Sequence, residues 1–186
     1  MKSPYKKLIL PGIFALIGLI LVIIPATGLV RFFKIPTNGM APTVSSGDYV
    51  LATKSGKSPS EFQRGEIVIF APSHDSKSRY IQRIVALPGD TIEHLNGHLA
   101  VNGEPLESPD GTKASPANQS VPDMSPPSYP VTLSTDEVFV LGDNYDNSLD
   151  SRYFGPIKFE SITHIPKRIA LPLSRGRSLS SEDSDN

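Results

Sequence analysis

The sequence predicts a mainly β domain that follows a single transmembrane helix. Residues 8–30 carry no charged side chain, and a helix of this length would be about 35 Å long, enough to cross a hydrocarbon core of about 30 Å. Downstream, short β-branched runs alternate with turn residues, and the 18 prolines suit a loop-rich β fold better than a helical one. We therefore expect a cytoplasmic stretch at residues 1–7, a membrane helix at residues 8–30 and an antiparallel β domain over residues 31–173.

The charges that flank the apolar segment set its expected orientation. Three lysines precede the segment, and Arg31 and Lys34 follow it. This excess of positive charge on the N-terminal side places the N-terminus in the cytoplasm and the bulk of the chain outside it. A cleaved signal peptide with a small-residue site at residues 26–28 is an alternative, but the apolar run is longer than the usual h-region. We expect a retained single-pass anchor in the cell membrane, in contact with lipid.

Composition excludes several classes of function. The formal net charge of −1 gives no argument for nucleic-acid binding. Because the chain has no cysteine, disulfides, thiolate metal sites and cysteine nucleophiles are excluded. The four histidines show no metal-site grouping, and His94 and His98, which flank a hairpin turn, are interpreted as exposed strand-end residues. We expect neither a metal nor another cofactor.

Alternation of apolar residues and the position of turn residues place the strands. Asn96-Gly97 predicts a type I′ hairpin turn. Residues 104–130, rich in Pro and Ser, are expected to form a surface excursion, and residues 174–186 a disordered tail. The strands are predicted at residues 49–53, 66–70, 80–87, 91–95, 98–101 and 137–141, with a last strand pair within residues 162–171 that is broken at Pro166.

Two local features suggest a functional site. In residues 35–44, prolines on either side of Asn38-Gly39 predict a loop pinned at both ends, suited to hold a bound peptide or a nucleophile. In the strand at residues 80–87, period two places Gln82 on an otherwise mostly apolar face. A buried amide without partners costs about 1–3 kcal/mol. Gln82 is therefore expected to form hydrogen bonds or to face a cleft.

Three blocks, in order behind the expected anchor, resemble the type I signal peptidase family: IPTNGMAPTVSSGDYVLATK, YIQRIVALPGDTIE with the following VNG, and LGDNYDNSLDSRYFGPI. The resemblance implies membrane-anchored serine proteases that remove signal peptides outside the membrane, with a β-fold shared with self-cleaving repressors. It also implies a serine–lysine pair. In that pair a neutral lysine takes the proton of the attacking serine, while a second hydroxyl and a backbone N–H stabilise the oxyanion.

Both reacting residues of the family are missing from this sequence. Gly39 occupies the nucleophile position before Met40, and Gln82 occupies the general-base position before Arg83. Other family positions are filled, and the resemblance assigns Thr37 to the oxyanion hydroxyl and Ser148 to the residue that orients the lysine. A neutral Gln82 is expected to hydrogen-bond Ser148. The loop that packs beneath the site is matched by Asp143, Asn144, Asp150, Ser151 and Arg152, whereas Tyr145 stands where many members have arginine.

The sequence therefore indicates a non-catalytic relative. Its expected role is to bind signal-peptide or secreted-precursor segments and to aid assembly of surface structures such as pili. An alternative is an active signal peptidase in which Thr37, Ser45 or Ser46 attacks and Lys54 or Lys77 is recruited as the base. A further alternative is a structural partner of an active signal peptidase paralogue, or of a pilin, with no role for nucleic acid.

Overall fold

The computed structural model describes residues 13–14, 18, 28–75, 77–117, 121–122, 124 and 126–179. Most of the predicted membrane helix at residues 8–30, and all of the predicted cytoplasmic stretch at residues 1–7, lie outside these described residues. Within the described part of the chain, no helix is long and apolar enough to span a bilayer. The transmembrane anchor therefore stays a prediction.

The described domain consists of short antiparallel strands. They are β1 (Val30–Lys34), β2 (Tyr49–Lys54), β3 (Ile67–Phe70), β4 (Tyr80–Ala86), β5 (Thr91–Leu95), β6 (His98–Val101), β7 (Glu104–Pro105), β8 (Val131–Thr132), β9 (Glu137–Leu141), β10 (Ile157–Lys158) and β11 (Ile162–Leu171). One sheet has the order β1-β2-β11-β3-β4-β9-β10, and the other has the order β7-β6-β5-β8. The prediction of a mainly β, antiparallel domain is confirmed.

Helical elements after residue 28 are short. The helix α1 spans Ser151–Phe154. Its first turn is capped by the side chain of Asp150, which accepts a hydrogen bond from the Arg152 N–H. Turns of 3-10 helix occur at Pro59–Glu61, Tyr145–Asn147, Phe159–Ser161 and Leu173–Arg175.

Burial explains why the strands lie where the apolar pattern placed them. All four residues of β3 are buried, as expected for a continuous apolar run. The β5–β6 hairpin turns at Asn96 and Gly97, which have φ of 52° and 85°, as a type I′ turn requires. A shared apolar cluster then fixes the two sheets against each other, with Phe139 and Leu141 from the larger sheet and Ile92 and Leu99 from the smaller one.

The last strand differs from the prediction. Residues 162–171 form one strand, β11, rather than a strand pair broken at Pro166. Pro166 pairs with Ala52 of β2, and the register shifts between Pro166 and Arg168. A bulge of this kind absorbs the missing N–H of a proline without ending the strand.

Two segments predicted to be irregular are held by backbone hydrogen bonds. In the Pro/Ser-rich excursion, the buried Ala114 donates to the Leu106 carbonyl and accepts from the Leu99 N–H. In the tail predicted to be disordered from residue 174, Arg177 and Leu179 bond back to β11. Residues 180–186 lie outside the described residues. These hydrogen bonds join backbone groups, and the periodicity of side chains does not predict them. The sequence therefore indicated neither contact.

His164 in β11 makes stability depend on pH. The residue is 8% exposed, and burial, followed by the charges of Arg31, Arg79 and Lys54, lowers its pKa from the ordinary value of 6.5. Because the unfolded chain then binds a proton before the folded chain does, we expect the free energy of unfolding to fall as the pH drops below about 6.5.

Urea denaturation at a pH of about 7.5 and of about 5.5 measures this change. The His164→Gln variant cannot bind that proton, so its stability should change less between the two conditions. An equal loss in the variant and the wild type would assign the pH dependence to other groups.

Candidate functional site

The loop of residues 35–44 is anchored in the core by its own apolar side chains. Ile35, Met40 and Val44 are 4%, 2% and 0% exposed and belong to one apolar cluster with Val50 and Ile169. The Ile35 N–H donates to the Asp48 carbonyl at 2.9 Å, and the Ile35 carbonyl accepts from the Gly47 N–H at 2.8 Å. The predicted loop, pinned at both ends, is confirmed, and the pinning fixes the backbone at Gly39.

Asn144 brings the nucleophile position next to the loop that follows β9. Its N–H donates to the Gly39 carbonyl at 3.0 Å, and its Nδ2 donates to the Asn38 carbonyl at 3.1 Å. A Cβ built on Gly39 would lie 3.4 Å from the Asn147 carbonyl oxygen and 3.7 Å from Ser148 Oγ. A side chain at position 39 would therefore fit and would face Ser148, as the resemblance implies.

Gly142 is a site residue that sequence reasoning did not single out. A Cβ at this position would lie 2.7 Å from Ser148 Cβ, and closer still to Ser148 Oγ and to the Gly39 carbonyl oxygen. Real Cβ atoms do not approach other atoms this closely. Only glycine lets these two segments meet, and the signal that could have found it is its place directly after the buried strand β9.

Gly142→Ala is expected to push Ser148 and Gly39 apart. Because the contacts are with backbone and with a short side chain, the protein must shift to accommodate the methyl group, at a cost of about 1–3 kcal/mol. Thermal denaturation of the variant measures this cost. Gly97→Ala is unsuitable as a control because φ is positive there, whereas Gly56→Ala meets open space at an ordinary φ and should change the melting temperature little.

Two carboxylates beneath the site are held by arginines. Asp143, 3% exposed, accepts from Arg83 Nε at 2.8 Å and from Arg83 Nη2 at 2.7 Å. Asp150, fully buried, accepts from Arg152 Nε at 2.8 Å and Nη2 at 2.9 Å. It also accepts from the Gly142 N–H at 3.2 Å. These paired charges fix the start and the end of the loop that carries Ser148.

Residues around the Asp150–Arg152 pair also hold the loop that carries Ser148. Arg152 Nη2 donates to the Tyr145 carbonyl at 2.7 Å, and the guanidinium lies 5.4 Å from the centre of the Tyr145 ring. Burial, and then the Asp143 charge, raises the pKa of Tyr145, so this side chain is neutral. Ser151 Oγ accepts from the Val140 N–H at 3.1 Å. A tyrosine at the family's arginine position is thus accommodated by packing on Arg152.

Gln82, at the general-base position, is 3% exposed. Its Nε2 donates to the Leu149 carbonyl at 2.6 Å. This bond takes the place of the expected one to Ser148, because the Leu149 carbonyl comes within reach of the amide nitrogen. The other amide atom, Oε1, is buried and has no hydrogen-bond partner among the described residues.

A cleft of about 560 Å³ joins these positions. Thr37, Gly39, Gln82 and Ser148 all border it, so the four catalytic positions assigned by resemblance come together. Thr37 lies on the exposed rim. The apolar part of the lining comprises Phe33, Ile35, Pro36, Met40, Ile69, Tyr80, Ile81 and Leu149.

The residues of the alternative catalytic arrangement are mostly elsewhere. Of the described residues, Ser45, Ser46, Lys54 and Lys77 do not line the cleft. Ser46 Oγ instead donates to the Pro36 carbonyl at 3.0 Å. Thr37 borders the cleft, and so does one lysine of the described lining, the exposed Lys34.

One edge of β4 is open along the cleft. Residues 80–82 pair with β3 on one side, but β9 pairs with β4 only from Arg83 onward. The N–H and carbonyl of Ile84 bond on the β3 side, to Glu66 and Gly65. Since backbone groups alternate along an antiparallel strand, those of Ile81 face the open side. An extended segment could pair there as an additional strand.

The comparisons with known proteins agree with this arrangement. The family model described as signal peptidase, peptidase S26, matches residues 8–167. Signal peptidase I P of Bacillus subtilis subsp. natto is 33% identical over 164 residues, which cover 87% of this chain and 88% of that protein. Probable signal peptidase I-2 of Synechocystis sp. is 34% identical over 136 residues, which cover 69% of this chain and 57% of that protein.

A solved structure of a signal peptidase I from Enterococcus faecalis V583 aligns with 56% of this chain and 96% of its own, at 27% identity and a TM-score of 0.38. The family model matches more than half of the chain, and the Bacillus relative is more than 30% identical over most of both chains, so the class of protein is that of the signal peptidases. The chain belongs to the signal peptidase family, peptidase S26.

Proposed function

We propose that this protein is a non-catalytic member of its family, which holds signal-peptide or secreted-precursor segments without cutting them. The observation that carries the proposal is the pair of substitutions in one cleft, with Gly39 at the nucleophile position and Gln82 at the base position. Family membership supports the ligand class, because signal peptidases act on preproteins that bear signal peptides. The other two positions that the resemblance assigns, Thr37 and Ser148, border the same cleft.

The chemistry of the two residues argues against peptide hydrolysis by the family route. Gly39 has no oxygen to attack a carbonyl, and an amide such as Gln82 cannot take up a proton near neutral pH. A nucleophile and its base act as a unit, so the loss of either one removes nearly the whole catalytic effect and a second loss costs little more. Both substitutions are therefore compatible with selection for binding alone.

Binding itself needs neither missing group. The open edge of β4 at Ile81 offers backbone hydrogen bonds to an extended segment, and the apolar lining accepts small side chains. Main-chain pairing supplies affinity in such complexes, and the pockets for alternate side chains supply specificity. The cleft therefore has the features required to retain a precursor segment.

We also propose a cellular location for the protein. An anchor at residues 8–30 with a cytoplasmic N-terminus would put the cleft outside the cytoplasm, beside the membrane where precursors emerge. Apolar residues 8–30 and their flanking charges support this location, as does the membrane anchor that the resemblance implies. There the protein would aid assembly of surface structures such as pili, alone or with an active paralogue.

The test uses the full chain in detergent micelles and a fluorescein-labelled synthetic peptide that spans an Ala-X-Ala site. We expect saturable binding by fluorescence anisotropy and an intact peptide by mass spectrometry after long incubation. A peptide of the same composition in scrambled order is the control and should bind more weakly. Absence of saturable binding would contradict the proposed holding function. Appearance of two peptide fragments would contradict the proposal that the protein is non-catalytic.

An active signal peptidase with another nucleophile is the second candidate. It is favoured by the relatives, which are named signal peptidases, and by the presence of Thr37 and Lys34 on the same cleft. In that case the wild type would produce fragments, and Thr37→Val would abolish them. Fragments that persist in Thr37→Val would exclude Thr37 as the nucleophile.

A further inference from the structure

The side-chain amide of Gln82 has a fixed orientation. The Leu149 carbonyl is an acceptor, so the atom that faces it at 2.6 Å must be the amide nitrogen. The amide oxygen is therefore directed away from Leu149. This assignment follows from the hydrogen-bond partner and does not depend on distinguishing oxygen from nitrogen by shape.

The oxygen left over is an acceptor without a donor. Gln82 is 3% exposed, and its Oε1 has no hydrogen-bond partner among the described residues. Buried acceptors in proteins are nearly always paired. Gln82 also borders the cleft together with Gly39 and Ser148. In this structure Oε1 is covered by neighbouring atoms, so a donor on a bound segment pairs with it only when those neighbours shift on binding.

The position of Gln82 indicates which donor this is. In serine-type peptide hydrolysis, the base takes the proton of the nucleophile and then gives it to the leaving amine. A group at the base position therefore lies against the nitrogen of the peptide bond to be cut. A protonated base complements the departing amine, which needs a donor. An amide oxygen complements the intact peptide bond, whose nitrogen still carries its hydrogen.

We propose that Gln82 Oε1 accepts the N–H of the uncut peptide bond at the cleavage site of a bound precursor. This inference rests on the proposed holding function and adds its anchoring residue. The substitution at position 82 then does more than remove a base. It replaces a group that favours bond breakage with one that binds the unbroken bond.

Replacement of that one amide by an ester tests the inference, because an ester lacks the N–H and keeps the shape. Two labelled Ala-X-Ala peptides, one with the amide and one with the ester at the cleavage-site bond, are titrated against the full chain in micelles. We expect the ester to bind the wild type about tenfold more weakly, the loss that corresponds to one buried hydrogen bond. Mass spectrometry verifies that the ester stays intact.

Two variants show whether Gln82 is the acceptor. Gln82→Met is close in shape and has neither donor nor acceptor, and Gln82→Leu is a second apolar replacement that also has neither. In both variants the difference between amide and ester peptides should shrink to less than about twofold. If neither variant folds, the wild type still decides, because absence of an ester penalty there overturns the inference.

The outcomes separate the two proposals. An ester penalty of the same size in wild type and variants would overturn the role of Gln82, and so would its absence from the wild type, which would mean that the peptide N–H does not reach Oε1. In both cases binding of the amide peptide, and with it the holding function, would stand. If the amide peptide does not bind the wild type at all, the holding function fails and this inference fails with it.

Discussion

Gly39→Ser combined with Gln82→Lys is expected to turn the protein into a peptidase. A Cβ at position 39 meets nothing closer than 3.4 Å and faces Ser148 Oγ, so the serine fits without displacing the loop. Lysine at position 82 would lie in the buried environment of Gln82, which lowers the pKa of an amine and favours the neutral base. Cleavage of an Ala-X-Ala peptide should rise at least about 10³-fold over either single variant.

Matched control variants test whether the activity requires both introduced groups. Gly39→Ala with Gln82→Lys has the base and the added Cβ but no attacking oxygen, and it should be inactive. Gly39→Ser with Gln82→Met has the oxygen but no base, and it should be inactive as well. Addition of Thr37→Val to the active double variant should reduce its rate by about 10² or more, since it removes the hydroxyl that the resemblance assigns to the oxyanion. If the double variant folds but has no activity, the residues around the cleft do not position the introduced serine and lysine for catalysis.

Local chemistry in the sequence predicted the segments that carry the site, and the resemblance assigned its four positions. Pro36 and Pro42 indicate the pinned loop, and the dense polar loop after β9 indicates the segment that approaches it. Assignment of Gly39 and Gln82 to the two reacting positions depended on resemblance, since no periodicity identifies a missing atom. The structure then brings Thr37 and Ser148 to the same cleft.

The contacts that determine what the site can bind could not be predicted in this way. Gln82 bonds to the carbonyl of Leu149 rather than to the side chain of Ser148, and a backbone carbonyl has no sequence signature. The close approach that requires Gly142 involves the carbonyl of Gly39, from a segment about a hundred residues away. Both depend on how two loops meet, and that is a property of the folded backbone rather than of either segment.

Asp150→Ala is expected to be among the most destabilising single substitutions in the domain. Its carboxylate is fully buried and receives two hydrogen bonds from the guanidinium of Arg152, which is itself 3% exposed. Removal of the carboxylate leaves a buried arginine without its counter-charge and the Gly142 N–H without its acceptor. Loss of one partner of a buried ion pair costs about 3–5 kcal/mol, which should lower the melting temperature by about 6–20 °C.

A surface pair provides the comparison within the same chain. Asp136 and Lys158 form an ion pair at 3.0 Å, but their side chains are 55% and 58% exposed, and exposed pairs contribute little because water and salt screen them. Asp136→Ala should therefore leave the melting temperature nearly unchanged. If Asp150→Ala melts no lower than Asp136→Ala, the buried pair does not hold the loop that carries Ser148. Peptide binding should also weaken in Asp150→Ala alone, because that loop forms one wall of the cleft.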